Sequence, residues 1–240
     1  MPAAGVPLRS HGDVLRIEQF LRVAQVGAEL GITKVRLTGG EPLVRRGVLQ
    51  LVHGLGEIST LTKIGMTTNG TLLPPVAREL YEAGLTSLNI SIDSLDPERY
   101  RHITRGGSLD AALRGVFTAQ EVGFRDIKIN KVVTDDPLDR EDEIALREFC
   151  RQNGLQLQRI AEYSLSEEKR DAIGVVRPLP CAECNRIRLL SNGNLKPCLH
   201  SNEEVPIDWN DIAGSLHRAV LLKPEHGTVC NNRSMVEIGG

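Results

Sequence analysis

"KVRLTGGEP", residues 34–42, passes from a short stretch of strand-forming residues into a double-glycine turn stiffened by Pro42, and the fold class depends on whether that unit recurs. It does. Before it, "DVLRIEQFLRVAQVGAELG", residues 13–31, puts Ile17, Phe20, Leu21, Ala24 and Ala28 on one helical face, with Gly31 as a left-handed stop. After it come "KIGMTTN" and a helix opened by Pro74 and Pro75, then "SLNISID" and helices through 96–122. "IKINKVV" and "REDEIALREFCRQNG" follow, and "LQLQRIAEY" closes the series. Gly84, Gly123 and Gly154 each end a helix and precede an apolar residue. Such alternation predicts parallel strands with helices outside. Polar residues gather after successive strands, as "TGGEP" at 38–42, "TTNG" at 67–70 and "SIDS" at 91–94, which is where barrel enzymes collect their chemistry. Five visible strands are too few for a closed eightfold barrel. The expectation is an α/β fold, an incomplete, partial TIM-type barrel over residues 1–165, followed by a separate C-terminal region over 166–240.

Composition narrows the function. A net charge of −2, from 29 basic and 31 acidic residues among 240, supplies no bulk attraction to nucleic acid or a membrane surface. No apolar run approaches the roughly 18 residues of a membrane span, and the N-terminus lacks a secretory pattern. A cytoplasmic protein is expected, and in a reducing compartment close cysteines are metal ligands more often than disulfides.

Cys181, Cys184 and Cys198 stand in a C-x2-C-x13-C array. Two arrangements satisfy it. His200 would complete a Cys3His zinc site in a non-catalytic interaction module; alternatively, three thiolates would hold an iron-sulfur cubane with one iron open to substrate. Arg186 and Arg188, between the second and third cysteines, offer fixed donors suited to phosphate or a purine edge. In the first turn, Gly39 and Gly40 carry no Cβ to hold a ligand off the backbone, and Glu41 adds a carboxylate. Thr67, Asn69 and Ser91 add hydrogen-bonding groups to the same rim, and Arg36 and Lys128 add cations. Cys150 falls on an amphipathic helix and reads as core.

Together, "KVRLTGGEPLVRRGV", "MTTNGTLL", "NISIDSLDPERY", "CAECNRIRLLSNGNLKPCL" and "RSMVEIGG" resemble the GTP 3′,8-cyclase family of molybdenum-cofactor biosynthesis, radical S-adenosylmethionine enzymes, over nearly the whole chain. The resemblance implies a six-stranded partial barrel and a [4Fe-4S] cluster on Cys181, Cys184 and Cys198 whose open iron takes the purine. It implies S-adenosylmethionine at Gly39, Gly40, Glu41 and Ser91. It places GTP at Arg36, Thr67, Lys128, Arg186 and Arg188, with the tail Gly239-Gly240 entering the site. A radical derived from S-adenosylmethionine would take the ribose 3′ hydrogen, and the sugar carbon would close onto C8 of guanine. The implied partners are GTP, a reductant, a downstream molybdopterin-pathway enzyme and a second copy in a homodimer. Another radical S-adenosylmethionine activity, on a peptide or a different nucleotide, shares most of these features.

Three departures qualify the resemblance. The family's second [4Fe-4S] cluster, the one that cleaves S-adenosylmethionine, needs a C-x3-C-x2-C motif that these 240 residues do not contain. The chain is therefore expected to lack the first strand and its cluster loop, to expose "KVRLT" as an edge, and not to turn over alone. Ser164 stands where the family has a methionine against the adenosyl group, and the stretch from Ser164 to Cys181 is shorter than the family's.

Overall fold

A computed structural model describes residues 11–168 and 179–238. Helix α1 (Ile17–Glu29) leads into strand β1 (Lys34–Leu37), and the strand-helix unit then recurs through α2 (Val48–Gly56), β2 (Lys63–Thr68), α3 (Ala77–Glu82) and β3 (Ser87–Ser91). Helices α4 (Pro97–Thr104) and α5 (Leu109–Val122), strand β4 (Asp126–Val133), helix α6 (Asp139–Gln152) and strand β5 (Gln156–Ala161) complete it. All five strands pair in parallel, in the order β1-β2-β3-β4-β5.

Helix ends follow local chemistry. Ser108 accepts from the Ala111 amide and Asp96 from the Arg99 amide, each satisfying an orphan N–H at a helix start. Gly31, Gly84, Gly123 and Gly154 take positive φ at the helix exits, as expected. One boundary differs. The helix anticipated from Pro74 begins at Ala77, because Leu73 and Val76 donate back to Gly70 and Leu73 and spend the two prolines in a turn.

Strand alternation decides what each sheet face carries. Ile64, Met66, Leu88, Ile90, Ile127 and Ile129 point toward the helices and are buried with residues such as Leu55, Leu80 and Val116. Close approach of the helical layer depends on Gly115, where an added Cβ would stand 2.2 Å from the Gly70 carbonyl oxygen. The opposite face is polar, whereas a closed barrel fills its interior with branched apolar side chains.

After β5 come three short antiparallel strands, β6 (Arg188–Leu189), β7 (Asn194–Lys196) and β8 (Val205–Pro206), then helices α7 (Ile212–Leu221) and α8 (Met235–Ile238). Val23 and Val26 of α1 pack into the cluster formed by Leu195, Val205, Ile212 and Leu216, so the C-terminal region shares an apolar seam with the first helix.

Candidate functional site

Register turns isolated polar residues into a surface. Along one row of the inner face lie Arg36, Gly65, Ser87 and Asp126; the next row holds Thr67, Asn89 and Lys128, and the next Ser91, Asn130 and Gln158. Arg36 is laid across this face by its neighbours. Its guanidinium donates to Asn89 Oδ1 at 2.9 Å, and Asn89 Nδ2 donates to Asn130 Oδ1, which also receives Gln158 Nε2 at 3.1 Å. Gly65 makes the path: an added Cβ would stand 2.8 Å from Arg36 Nη2. Burial lowers the proton affinity of Arg36, Asp126 opposes that shift, and nearby Arg186 adds to it.

Glu41 joins two turns. Its carboxylate accepts from the Leu43 and Asn69 amides and from the Thr68 hydroxyl at 2.8 Å. With these donors on it, the carboxylate ties the turn after β1 to the turn after β2. At Gly39 and Gly40, among the described residues and apart from each glycine's own chain neighbours, nothing comes within 4 Å of an added Cβ.

Facing this rim is the cysteine region. A cavity of about 1660 Å³ is lined by Arg36, Thr67, Lys128, Gly39, Gly40 and Glu41 on the barrel side, and all three cysteines with Arg186 and Arg188 on the other. Each sulfur has a donor. The Gly227 amide donates to Cys181 Sγ at 3.3 Å, Lys223 Nζ lies 3.9 Å from Cys184 Sγ, and the His200 amide serves Cys198. An added Cβ at Gly227 would stand 3.2 Å from Cys198 Sγ, so that glycine borders two of the three thiols. Burial raises the Cys198 pKa, the His200 amide and Lys223 oppose the rise, and the other two cysteines add to it. Arg188 is also lowered by burial, with Tyr163 and the cysteines opposing and Arg186 reinforcing.

The donor set fits an iron-sulfur cluster: three thiolate-forming residues, N–H groups on the sulfurs, and adjoining cavity space. No three His, Cys, Asp or Glu side chains among the described residues converge to hold a single metal ion. The His200 ring packs beside Tyr163, centroids 5.3 Å apart.

Comparison with known proteins shows the family. Residues 3–150 match the family described as the radical SAM superfamily. A GTP 3′,8-cyclase of Alkaliphilus metalliredigens is 35% identical, over 100% of this chain and 92% of that protein. The chain belongs to the GTP 3′,8-cyclase family of the radical SAM superfamily. The family's enzyme from Peptoclostridium acidaminophilum is 38% identical over 91% of this chain and 79% of its own length. Membership implies S-adenosylmethionine and [4Fe-4S] chemistry. The first alignment runs over 293 positions, more than the 240 residues here, so that cyclase has segments without a counterpart in this chain. For the fold, the structure of anSMEcpe with bound AdoMet and Kp18Cys peptide matches with a TM-score of 0.60, at 14% identity, over 94% of this chain and 85% of that one.

Of the residues singled out from sequence in this cyclase-family chain, Ser91 ends β3 in the inward row of Asn130 yet is not among those lining the cavity. Ser164 hydrogen-bonds to Ser166 in the loop after β5. Gly239 and Gly240 lie outside the described residues, as does much of the stretch from Ser164 to Cys181. Asn89, Asn130 and Gln158 join this face as well, and alternation along β3, β4 and β5 puts them in phase with Ser91 and Lys128. Gly227 and Lys223 lack any such signal, being 25 or more residues beyond Cys198. Cys150 is core, its thiol pushed up to about 11 by burial.

Proposed function

We propose that this chain binds GTP between the inner face of the sheet and the cysteine region, and holds a [4Fe-4S] cluster on Cys181, Cys184 and Cys198, in the cyclisation that begins molybdenum-cofactor biosynthesis. The observation that carries this reading is the shared cavity. Arg36, Thr67 and Lys128 occupy adjacent rows of one sheet face and line the same space as Arg186, Arg188 and the three cysteines.

Each group has a definable task. Guanidiniums that gain from a nearby anion suit a triphosphate: burial and the neighbouring Arg186 lower the proton affinity of Arg36, and phosphate oxygens would relieve that. The line from Arg36 through Asn89 to Asn130 fixes the fork before substrate arrives, which lowers the ordering cost of binding. An open iron on the three-cysteine cluster would give a purine acceptor a soft Lewis-acid partner. The exposed backbone at Gly39-Gly40, with Ser91, is assigned to S-adenosylmethionine, which in this reaction supplies the radical. The five cysteines, at 150, 181, 184, 198 and 230, form no C-x3-C-x2-C triplet. No residue here is therefore assigned to reducing S-adenosylmethionine, and the isolated chain is read as binding substrate without turning it over.

Calorimetric titration with GTP tests the assignment. Arg186→Ala and Arg188→Ala are each expected to weaken binding by about 1.5–3 kcal/mol, roughly ten- to hundredfold. Affinity unchanged in both variants removes GTP from this site.

A further inference from the structure

The geometry points to Lys223 as a positioning residue for the cysteine site: its ammonium draws the two cysteine-bearing segments together and places a fixed positive charge against the Cys184 sulfur. This rests on the cluster reading above. Lys223 follows α7 by two residues, far in sequence from the array it serves. Its Nζ donates to the Arg186 carbonyl at 2.8 Å and the Pro197 carbonyl at 3.0 Å, and lies 3.9 Å from Cys184 Sγ. An ammonium has three protons to give, and here three acceptors surround it. One carbonyl comes two residues after Cys184 and the other immediately before Cys198, so the ammonium spans the long gap of the C-x13-C spacing.

Two carbonyls alone would be served by any neutral donor of suitable reach. The sulfur gives the charge a purpose. Reduction adds an electron to a group that already carries thiolate charge, and a cation against one sulfur stabilises the reduced state more than the oxidised one, raising the reduction potential. Four residues on, Gly227 completes the same wall by donating to Cys181 and bordering Cys198. The Lys223–Gly227 stretch thus reaches all three sulfurs, one of them through the lysine charge. Arg186 and Arg188 line the same cavity, but it is the Lys223 ammonium that is fixed by two backbone carbonyls beside the sulfur.

The test uses the reconstituted 240-residue chain, with iron content per chain and the midpoint potential from an EPR-monitored redox titration. Lys223→Gln keeps a donor for the carbonyls and removes the charge; Lys223→Arg keeps the charge. The glutamine variant is expected to hold iron at or below the wild-type level with its potential shifted to more negative values. The arginine variant should retain wild-type iron and stay near the wild-type potential. Wild-type iron with an unshifted potential in Lys223→Gln overturns the role of Lys223 and leaves the cluster standing. Equal loss of iron from both variants also overturns it, because charge would then not be what the site uses. A wild-type chain that takes up no iron defeats the cluster reading and this inference together.

Discussion

Behind the parallel sheet, Leu88, Ile90 and Ile129 are completely buried among helical side chains, while the region from Cys181 to Ile238 closes around a completely buried lysine. That residue, Lys196, donates to the Ser201 carbonyl at 2.6 Å and lies 3.9 Å from Glu204. Glu204 in turn takes both arms of Arg233 at 2.7 Å and the Asn194 amide, tying the segment before α8 to the small sheet. The first region is held by area removed from water, which tolerates changes in what the inner face binds. The second has smaller apolar clusters and depends on charges being paired, so it is the part expected to respond to cofactor, pH and charge substitutions.

The largest expected effect would break that contrast if it failed to stay local. Replacing Cys184 and Cys198 together with serine should abolish iron retention after reconstitution and strip hydrogen-exchange protection from residues 181–230, leaving β2 to β4 protected. Loss of protection across both regions would mean that the sheet also depends on the cluster. Next, Ile90→Ala should cost about 2–5 kcal/mol in urea unfolding, through lost transfer energy and the cavity left in a strand with neighbours on both sides. The wild-type value would leave no basis for treating the outer face as the dominant core.

The smallest effect sharpens the contrast through pH. Arg233 holds the Glu204 carboxyl below its ordinary range, with burial opposing and Asn194 and Lys196 assisting. Because the folded pKa lies below the unfolded value near 4.3, the pair stabilises the native state above that pH, and its contribution is lost as pH falls through the folded value. Glu204→Gln should cost about 1.5–3 kcal/mol at neutral pH and flatten the acid limb of a stability-pH curve. An unaltered acid limb would show that Glu204 is not the titrating link.

Much of the sheet was legible because its signals are local. Each strand-turn-helix unit carries its own alternation and glycine exit, and β1 to β5 appear where the pattern put them. The helix expected from Pro74 starts three residues later, at Ala77, because proline at a helix start and proline in a preceding turn look alike in one dimension. Strands β6 to β8, of two or three residues, are too short for a period to register. In the site, the cysteines announced themselves by spacing, and Arg186 and Arg188 by lying between them. Glu41 was picked out for its carboxylate, yet that group ties two turns together, which required knowing that Asn69 and Thr68 lie beside it.

The sequence by itself determined that strands and helices alternate, that their carboxyl-end turns are polar, and that three sulfurs are held close along the chain. These are consequences of backbone preference and short-range spacing. Only the tertiary structure decided that Arg36, Thr67 and Lys128 share a face, because register across separate strands depends on how whole helices pack behind them. It alone brought Lys223 and Gly227 to the sulfurs, since a contact bridging 25 or more residues of chain is selected by the folded energy and leaves no local pattern to read.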